Sequence, residues 1–207
     1  MKKNSRSSTI KTTNLLDPQS KGEVRIIAGR WRGRKLPVLS KQGLRPTGDR
    51  VKEMLFNWLQ ADIVDSVCLD AFAGSGSLGF EALSRQAKQV YFVELDKSVA
   101  QQLKTNLQQL QKTNERIDAQ IFNQNTLTFL NHNPNAIQFD LVFLDPPFHF
   151  DLAEQAIALL VQHNWLKNNG LVYVETEKDK QLNLPENWIE LKQKKTGQVV
   201  SRLYQIA

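Results

Sequence analysis

One strand-like run in the middle of the chain ends on a carboxylate. Apolar residues 141–144 lead directly into Asp145, and Pro146, Pro147 and Phe148 follow. The carboxylate and the Pro146 carbonyl are hydrogen-bond acceptors, and the proline rings fix φ, so the acceptors are held in place. Two fixed acceptors beside an aromatic ring suit a planar group that carries an amine. The structural alternative is a proline-terminated strand whose aspartate caps a turn.

A glycine-rich turn and a second carboxylate lie upstream. The segment GSGSLG at 74–79 has the spacing GxGxxG, in which Gly74 and Gly76 allow a tight turn and a close approach to a ligand. A later strand ends on Glu94, 20 residues after Gly74, where a carboxylate can accept hydrogen bonds from ribose hydroxyls. Glycine turns alone are common, but this turn followed by this acid predicts a nucleoside-containing cofactor.

Asp70, four residues before Gly74, indicates which cofactor that is. A dinucleotide brings its pyrophosphate to the helix N-terminus, where a carboxylate would repel it. S-adenosylmethionine has no phosphate, and it carries a sulfonium and an ammonium group that a carboxylate can hold. If Asp70 faces the turn, S-adenosylmethionine is favoured over NAD.

A methyl donor gives the acceptors at Asp145 and Pro146 a chemical role. An exocyclic amine of a base is a poor nucleophile because its lone pair is delocalised into the ring. Acceptors that hold its hydrogens favour a pyramidal nitrogen with the lone pair aimed at the methyl group. Phe148 can stack on the face of a flipped-out base. Together these residues predict methyl transfer to a base amine.

Alternating helix and strand patterns place these residues at one edge of a sheet. An amphipathic helix is predicted at 47–60, with Thr47 as its N-cap. Further helices are predicted at 77–86, 97–111, 126–131 and 151–163, and strands at 66–71, 89–94, 118–123, 139–144, 170–175, 188–193 and 198–206. This order predicts an α/β fold: a mostly parallel seven-stranded sheet with helices on both faces and a C-terminal antiparallel hairpin. Such sheets bind ligands at the carboxyl ends of their strands.

Positive charge is concentrated at the start of the chain. Residues 1–52 carry 14 Lys and Arg against 3 Asp and Glu, a net of +11, whereas 53–207 have a net of −5. Residues 1–22 are predicted to be a disordered basic tail, and 23–46 a basic β-hairpin extension. Guanidinium groups suit phosphates, and an indole between them can stack on a base or on a guanidinium, so we predict an RNA-docking bend formed by Arg30, Trp31, Arg32, Arg34 and Lys35. A tail that only aids solubility is the alternative.

Length and composition limit the remaining possibilities. A chain of 207 residues is long enough for one α/β domain, residues 47–207, with the hairpin as an appendage. There is no apolar run of about 18 residues that could span a membrane, and no secretory signal. The single cysteine, Cys68, lies in an apolar run and is expected to be a buried spacer in a reducing cytosol. We expect a cytoplasmic monomer. We also expect no bound metal, because His132, His149 and His163 do not have the spacing of metal ligands.

The motifs DAFAGSGSLG, VELD and DPPF, in this order, resemble the class I, Rossmann-like methyltransferases that modify amino groups. The segments RIIAGRWRGRKLPV, LRPTGDRVKEMLFNWL and GQVVSRLYQ make the resemblance more specific, over roughly residues 24–206. The chain is similar to the RsmD family of bacterial ribosomal RNA methyltransferases. That resemblance implies methylation of the N2 amine of a guanine in 16S rRNA, within the small ribosomal subunit or its assembly intermediate.

The resemblance also implies roles for individual residues. The residues implied to bind the cofactor are Asp70, Gly74, Gly76, Glu94 and Asn125. Arg45 and Thr47, in the segment LRPTGDR, are expected to fold over the cofactor, although helix capping is an alternative role for Thr47. Asn125 stands where relatives often have an acid beside the adenine ring. The residues implied to form the reaction site are Asp145, Pro146, Pro147 and Phe148. They read Asp-Pro-Pro-Phe where many relatives have Asn-Pro-Pro-Tyr, and both changes keep the acceptor and the ring.

Two other functions remain open. The same chemistry could act on adenine N6 in nucleic acid or on a protein glutamine, although the basic segment argues against a protein. The absence of a large target-recognition domain argues against a sequence-reading DNA enzyme. The chain could also be a non-catalytic RNA-binding factor of ribosome assembly, against which the intact DPPF argues. Glu175 and Glu177, at the end of the strand 170–175, are expected to be exposed carboxylates.

Overall fold

The computed structural model of the protein describes residues 22–39, 48–111, 117–148 and 151–207. The predicted tail up to residue 21 lies outside these ranges, as do Arg45, Thr47 and His149.

A two-stranded hairpin opens the described chain. Strands β1 (Gly22–Arg25) and β2 (Lys35–Val38) pair antiparallel. The bend between them contains Gly29 and Gly33, whose φ values of +80° and +82° lie in the left-handed region that glycine tolerates. The predicted N-terminal hairpin is therefore present.

Helices and strands then alternate as the sequence patterns predict. Their bounds are α1 (Asp49–Trp58), β3 (Val67–Asp70), α2 (Ser77–Ser84), β4 (Gln89–Glu94), α3 (Lys97–Gln111), β5 (Ala119–Asn123), α4 (Thr126–Leu130), β6 (Phe139–Leu144), α5 (Leu152–Gln162), β7 (Leu166–Glu177), β8 (Trp188–Thr196) and β9 (Val199–Ile206). The N-cap of α1 is Gly48, so the prediction of Thr47 in that role is wrong. Strand β7 begins at Leu166, four residues before the predicted start at 170.

Seven strands form one sheet in the order β5-β4-β3-β6-β7-β9-β8. The five strands β3 to β7 pair in parallel with their neighbours in the sheet, and crossover segments connect each strand to the next one along the chain. Strand β9 pairs antiparallel with both β7 and β8, which makes the predicted C-terminal hairpin. The carboxyl ends of β3, β4, β6 and β7 therefore meet at one edge, which we call the upper edge.

The sheet separates two hydrophobic cores. One core contains residues of α1, α2, α3 and the N-terminal hairpin, among them Leu55, Phe80, Leu103 and Ile26. The other core contains residues of α4 and α5, among them Phe129 and Ile157. Helices thus cover both faces, as predicted.

Hydrogen bonds fix the N-terminal hairpin to α2. The fully buried carboxylate of Glu81 accepts from the backbone N–H groups of Ile27 (2.7 Å) and Ala28 (3.0 Å). Ser84 Oγ donates to the Ala28 carbonyl at 2.6 Å. A Cβ on Gly29 would lie 1.9 Å from the Ser84 carbonyl oxygen, so only glycine allows this approach. The hairpin is therefore packed firmly against the sheet domain.

Three further properties concern the described residues alone. No helix among them is both long and apolar enough to cross a membrane. No group of three or more His, Cys, Asp or Glu side chains within the described ranges could hold a metal ion. Cys68 is fully buried, and burial raises the pKa of its thiol to about 12, so it remains a protonated spacer.

Candidate active site

The glycine turn lies at the upper edge, between β3 and α2. Gly74 and Gly76 have φ values of +49° and +75°. A Cβ on Gly76 would lie 2.5 Å from the Phe80 ring and 2.6 Å from the Leu103 side chain. Both the φ value and the close packing require glycine at position 76. Because glycine has no Cβ, a ligand can approach the backbone of the turn closely.

Glu94 ends β4 and supports that turn. Its Oε2 accepts from the Gly74 N–H at 2.8 Å, and its Oε1 accepts from the Asp96 N–H at 2.7 Å. A carboxylate has about four acceptor positions, so each oxygen keeps capacity for another donor. The carboxylate is thus held beside the turn, where ribose hydroxyls were predicted to bind.

Asp70 ends β3 and points at the first turn of α2. Its Oδ2 accepts from the Gly79 N–H at 3.0 Å, and the residue is 2% exposed. Burial raises the pKa of Asp70 to about 7; the Gly79 hydrogen bond opposes the rise and the Glu94 charge adds to it. A buried carboxylate with a raised pKa would be stabilised in its ionised form by a nearby cation. Asp70 thus points toward the N-terminal turn of α2, and its contact with the cofactor stays a prediction.

Asn125 has a structural role that the sequence did not show. It is the N-cap of α4, and its Oδ1 accepts from the backbone N–H groups of Leu127 (2.8 Å) and Thr128 (3.1 Å). Because the oxygen already accepts two hydrogen bonds, only the amide N–H groups remain for a ligand. Asn125 could therefore donate to an adenine ring nitrogen, whereas an acid could accept from the adenine amine.

The DPPF segment begins one residue after β6 and lies at the upper edge beside the end of β7. Asp145 and Phe148 are half-buried, Pro146 is buried and Pro147 is exposed. A cleft of about 330 Å³ opens there, and among its lining residues are Pro146, Pro147, Phe148 and Glu175. This volume is at the lower end of the range of small-molecule sites. Three of the predicted reaction-site residues therefore line a cleft, Asp145 directly precedes them in the chain, and all four lie on the same edge as the glycine turn.

Glu175 is a cleft residue that sequence reasoning misjudged. It is 7% exposed, so the prediction of an exposed carboxylate is wrong, and Glu177 is half-buried. The Tyr173 hydroxyl donates to Glu175 Oε1 at 2.6 Å and lies 3.0 Å from Ser201 Oγ. Because Ser201 belongs to a different strand, no local pattern in the sequence marked the burial of Glu175.

The basic bend contains one core residue, Trp31, and four exposed cations, of which Arg30 and Lys35 bond to other groups of the protein. Trp31 is 3% exposed and belongs to the core, so the prediction that its indole stacks on a base is wrong. Arg30 Nε donates to the Leu83 carbonyl at 3.2 Å, and the Arg30 guanidinium lies 4.9 Å from the Trp31 ring centroid. Lys35 pairs with Glu23 at 2.8 Å. Arg32 and Arg34 are exposed and remain as candidates for RNA contacts.

The bend lies away from the upper edge. It contacts Leu83 and Ser84 at the C-terminal end of α2, whereas the glycine turn precedes the N-terminal end of that helix. The eight residues of α2 separate these two places by about 12 Å. A ligand that contacts both the bend and the glycine turn must therefore span about 12 Å.

A second basic surface lies next to the cleft. The turn between β8 and β9 is at the upper edge, because Val199 pairs with Glu177 at the end of β7. Exposed lysines lead to this turn along β8: Lys192, Lys194 and Lys195. We call these three residues the β8 lysines.

The fold and the site together define the class of protein. A parallel sheet with a glycine turn after β3, an acid at the end of β4 and DPPF after β6 is the arrangement of a Rossmann-like methyltransferase. The model of the family described as Conserved hypothetical protein 95 matches residues 24–205, and the chain belongs to this family.

Named relatives make the family membership more specific. Ribosomal RNA small subunit methyltransferase D of Haemophilus influenzae is 68% identical over 188 residues, covering 91% of this chain and 96% of that protein. The protein of the same name from Escherichia coli K12 is 49% identical over 185 residues, covering 89% and 90%. The crystal structure of a protein from Haemophilus influenzae described as a methylase has a TM-score of 0.78 and 64% identity, covering 89% of this chain and 99% of that one. The resemblance to the RsmD family is confirmed, and the protein is a methyltransferase of that family.

Proposed function

We propose that the protein transfers the methyl group of S-adenosylmethionine to the exocyclic N2 amine of a guanine in 16S rRNA. The substrate is the small ribosomal subunit or its assembly intermediate. One observation carries the proposal: DPPF and the glycine turn share the upper edge in a chain 68% identical to a ribosomal RNA small subunit methyltransferase D. Guanine, N2 and 16S rRNA come from the family, and the residues present suit that chemistry.

The cofactor residues fit a cationic nucleoside. Glu94 would bind the ribose hydroxyls, and the bare backbone at Gly74 and Gly76 would allow close approach. Ionised Asp70, which is buried at the turn, would be stabilised by the ammonium group. When bound, S-adenosylmethionine supplies an electrophilic methyl group on its sulfonium.

The DPPF residues would orient the amine. The Asp145 carboxylate and the Pro146 carbonyl accept the two N2 hydrogens, which favours a pyramidal nitrogen with its lone pair free for the methyl group. Positive charge develops on N2 as the new carbon–nitrogen bond forms and the bond from the methyl carbon to sulfur breaks. The Asp145 carboxylate would stabilise this charge until N2 loses one of its protons to solvent. Phe148 stacks on the purine face and fixes the ring plane.

Two basic surfaces would hold the RNA. The β8 lysines lie next to the cleft, and Arg32 and Arg34 lie about one α2 length from the glycine turn. A folded rRNA region large enough to reach both would be gripped through its phosphates. The glycine turn, Glu94 and DPPF all come from one chain, so we propose that a monomer acts in the cytoplasm on the assembling subunit.

The test uses small-subunit particles from cells that lack the protein, with methyl-labelled S-adenosylmethionine. Asp145→Ala should abolish transfer and leave cofactor affinity unchanged, because its partner is the substrate amine. Phe148→Ala should weaken particle binding by about 1–3 kcal/mol, the range for stacking on a base. Asp179→Ala is the matched control, since Asp179 is an exposed carboxylate that also lines the cleft. Wild-type turnover in Asp145→Ala would contradict a catalytic role for DPPF and favour the alternative, a strand that ends in a turn capped by Asp145.

A further inference from the structure

A buried carboxylate that the proposed mechanism does not use lies beside the reaction site. Glu175 is 7% exposed and is among the residues that line the cleft, with Pro146, Pro147 and Phe148. Carboxylates are rarely buried unless they are paired with a cation, yet the partner of Glu175 Oε1 is a neutral hydroxyl, that of Tyr173. Its burial at a substrate cleft therefore calls for a ligand that donates hydrogen bonds.

The sheet register places Glu175 next to Asp145. Strands β6 and β7 are parallel, with Phe143 paired with Tyr173 and Leu144 paired with Val174. If this register is extended by one residue beyond the end of β6, Asp145 falls opposite Glu175, and neighbouring strands lie about 4.8 Å apart. The Asp145 charge contributes to raising the pKa of the Tyr173 hydroxyl, in agreement with this proximity. The upper edge thus presents one carboxylate directly after the end of β6 and another near the end of the adjacent strand β7.

Hydrogen bonds fix the orientation of the Glu175 carboxylate. The Tyr173 hydroxyl has one proton, which it donates to Glu175 Oε1 at 2.6 Å. The contact of 3.0 Å between the Tyr173 and Ser201 hydroxyls is then donated by Ser201. Ser201 therefore donates to Tyr173, and Tyr173 donates to Glu175. These two hydrogen bonds hold Glu175 in place as an acceptor.

Guanine is the nucleobase that matches two neighbouring acceptors. Its N1–H and its N2 amine are adjacent donors on one edge of the ring. Adenine has a lone pair at N1, which a carboxylate would repel, and its amine lies on the other side of that nitrogen. Burial raises the pKa of Glu175, and a donor from the ligand would favour the ionised form.

We propose that Glu175 selects guanine by accepting the N1–H, while Asp145 and the Pro146 carbonyl hold the N2 amine. The inference rests on the proposed function, since it names the residue that recognises the base in that reaction. Tyr173 and Ser201 are positioning residues, because they act through Glu175.

The test replaces the target guanine by 2-aminopurine, in 16S rRNA ligated from synthetic fragments and assembled into particles. This base keeps the N2 amine and has a lone pair in place of the N1–H. For the wild type, kcat/KM should be on the order of 10- to 100-fold higher with guanine, because an ionised acceptor loses its donor.

Glu175→Gln should reverse the polarity of this contact. The Tyr173 hydroxyl still donates to the amide oxygen of the new side chain, so the amide N–H groups face the base. We expect the ratio of kcat/KM with guanine to kcat/KM with 2-aminopurine to fall by about tenfold or more. A loss of packing would lower kcat/KM for both bases alike, so a changed ratio shows that the side chain at position 175 is coupled to the atom at N1 of the base. Glu177→Gln is the matched control, with the same change two residues along the same strand, and should keep the wild-type ratio.

Each outcome bears on a different claim. An unchanged ratio in an active Glu175→Gln variant would overturn the proposal and leave Glu175 a structural residue. If that variant does not fold, Tyr173→Phe supplies the second measurement: it removes the orienting donor, so the ratio should fall, and an unchanged ratio overturns the proposal. A wild-type enzyme that transfers no methyl group to the guanine particle would contradict the proposed function itself.

Discussion

Substitution of Glu94 by alanine should weaken cofactor binding by an amount that the structure allows to be estimated. The side chain is predicted to accept hydrogen bonds from the ribose hydroxyls, and a hydrogen bond to a charged group contributes about 1.5–3 kcal/mol. The dissociation constant should therefore rise about 10- to 150-fold. Loss of the 2.8 Å bond to the Gly74 N–H acts on the same turn and should bring the effect toward the upper end.

Calorimetric titration with S-adenosylhomocysteine, the demethylated product, measures this effect without turnover. Asp140→Ala is the matched control: Asp140 Oδ2 also accepts a backbone hydrogen bond at a strand end, from the Val67 N–H at 2.8 Å. Asp140 precedes the apolar run of β6 and so lies at the edge opposite the cofactor turn. Its substitution should lower the free energy of unfolding but change the dissociation constant less than about twofold.

The reasoning about Glu94 would be refuted if both variants bound the product as tightly as the wild type. It would also be refuted if the wild type bound NAD tightly and showed no affinity for S-adenosylmethionine or its product.

Three further predictions concern the hairpin, its charge and the cofactor turn. Gly33→Ala should lower the free energy of unfolding by about 1–2 kcal/mol, because alanine is strained at a left-handed φ. Gly29→Ala should lower it clearly more, because its Cβ would also clash with the Ser84 carbonyl oxygen. Equal urea midpoints for the two variants would contradict the packing of the hairpin against α2. Replacing Arg32 and Arg34 together should make particle binding less sensitive to salt: the slope of log binding constant against log salt concentration should fall by up to about 0.9 per lost phosphate contact, without a change in cofactor affinity. Filter binding measures this slope, and equal slopes for the wild type and the double variant would exclude both residues from the RNA surface. Because the pKa of Asp70 is raised to about 7 in the free protein, the native state holds a proton that the unfolded chain has lost, so unfolding free energy should fall as pH rises from about 4 to about 7. A cationic cofactor favours ionised Asp70, so its binding near pH 6 should release a proton and its binding near pH 9 almost none. Calorimetry in buffers of different ionisation enthalpy measures the number of protons released, and equal numbers at the two pH values would contradict this prediction.

The sheet and its upper edge were predictable because their signals are local. The stripe of apolar residues in α1 and the apolar runs of β3, β4 and β6 identify elements by periodicity. Once the strands are parallel, their carboxyl ends must meet at one edge, which brings Gly74, Glu94 and Asp145 to it. The structure places all three there.

Polar groups buried by distant partners were not predictable. Trp31 stands between arginines, which is typical of a nucleic-acid surface, yet it packs into the core because Glu81 and Ser84 of α2 hold the bend. Glu175 follows a buried run, where a charged residue usually marks the exposed end of a strand. Its burial depends on Tyr173 and Ser201, and Ser201 is 26 residues later in the chain. Such pairings exist only in the folded sheet.

Nucleoside analysis of 16S rRNA tests the central claim most directly. Small-subunit particles from cells that lack the protein are incubated with the purified enzyme and methyl-labelled S-adenosylmethionine, and the RNA is digested and separated. We expect the label in N2-methylguanosine, at about one methyl group per particle, and none with Asp145→Ala. Label in N6-methyladenosine or in a ribosomal protein, or no label in any product, would contradict the account.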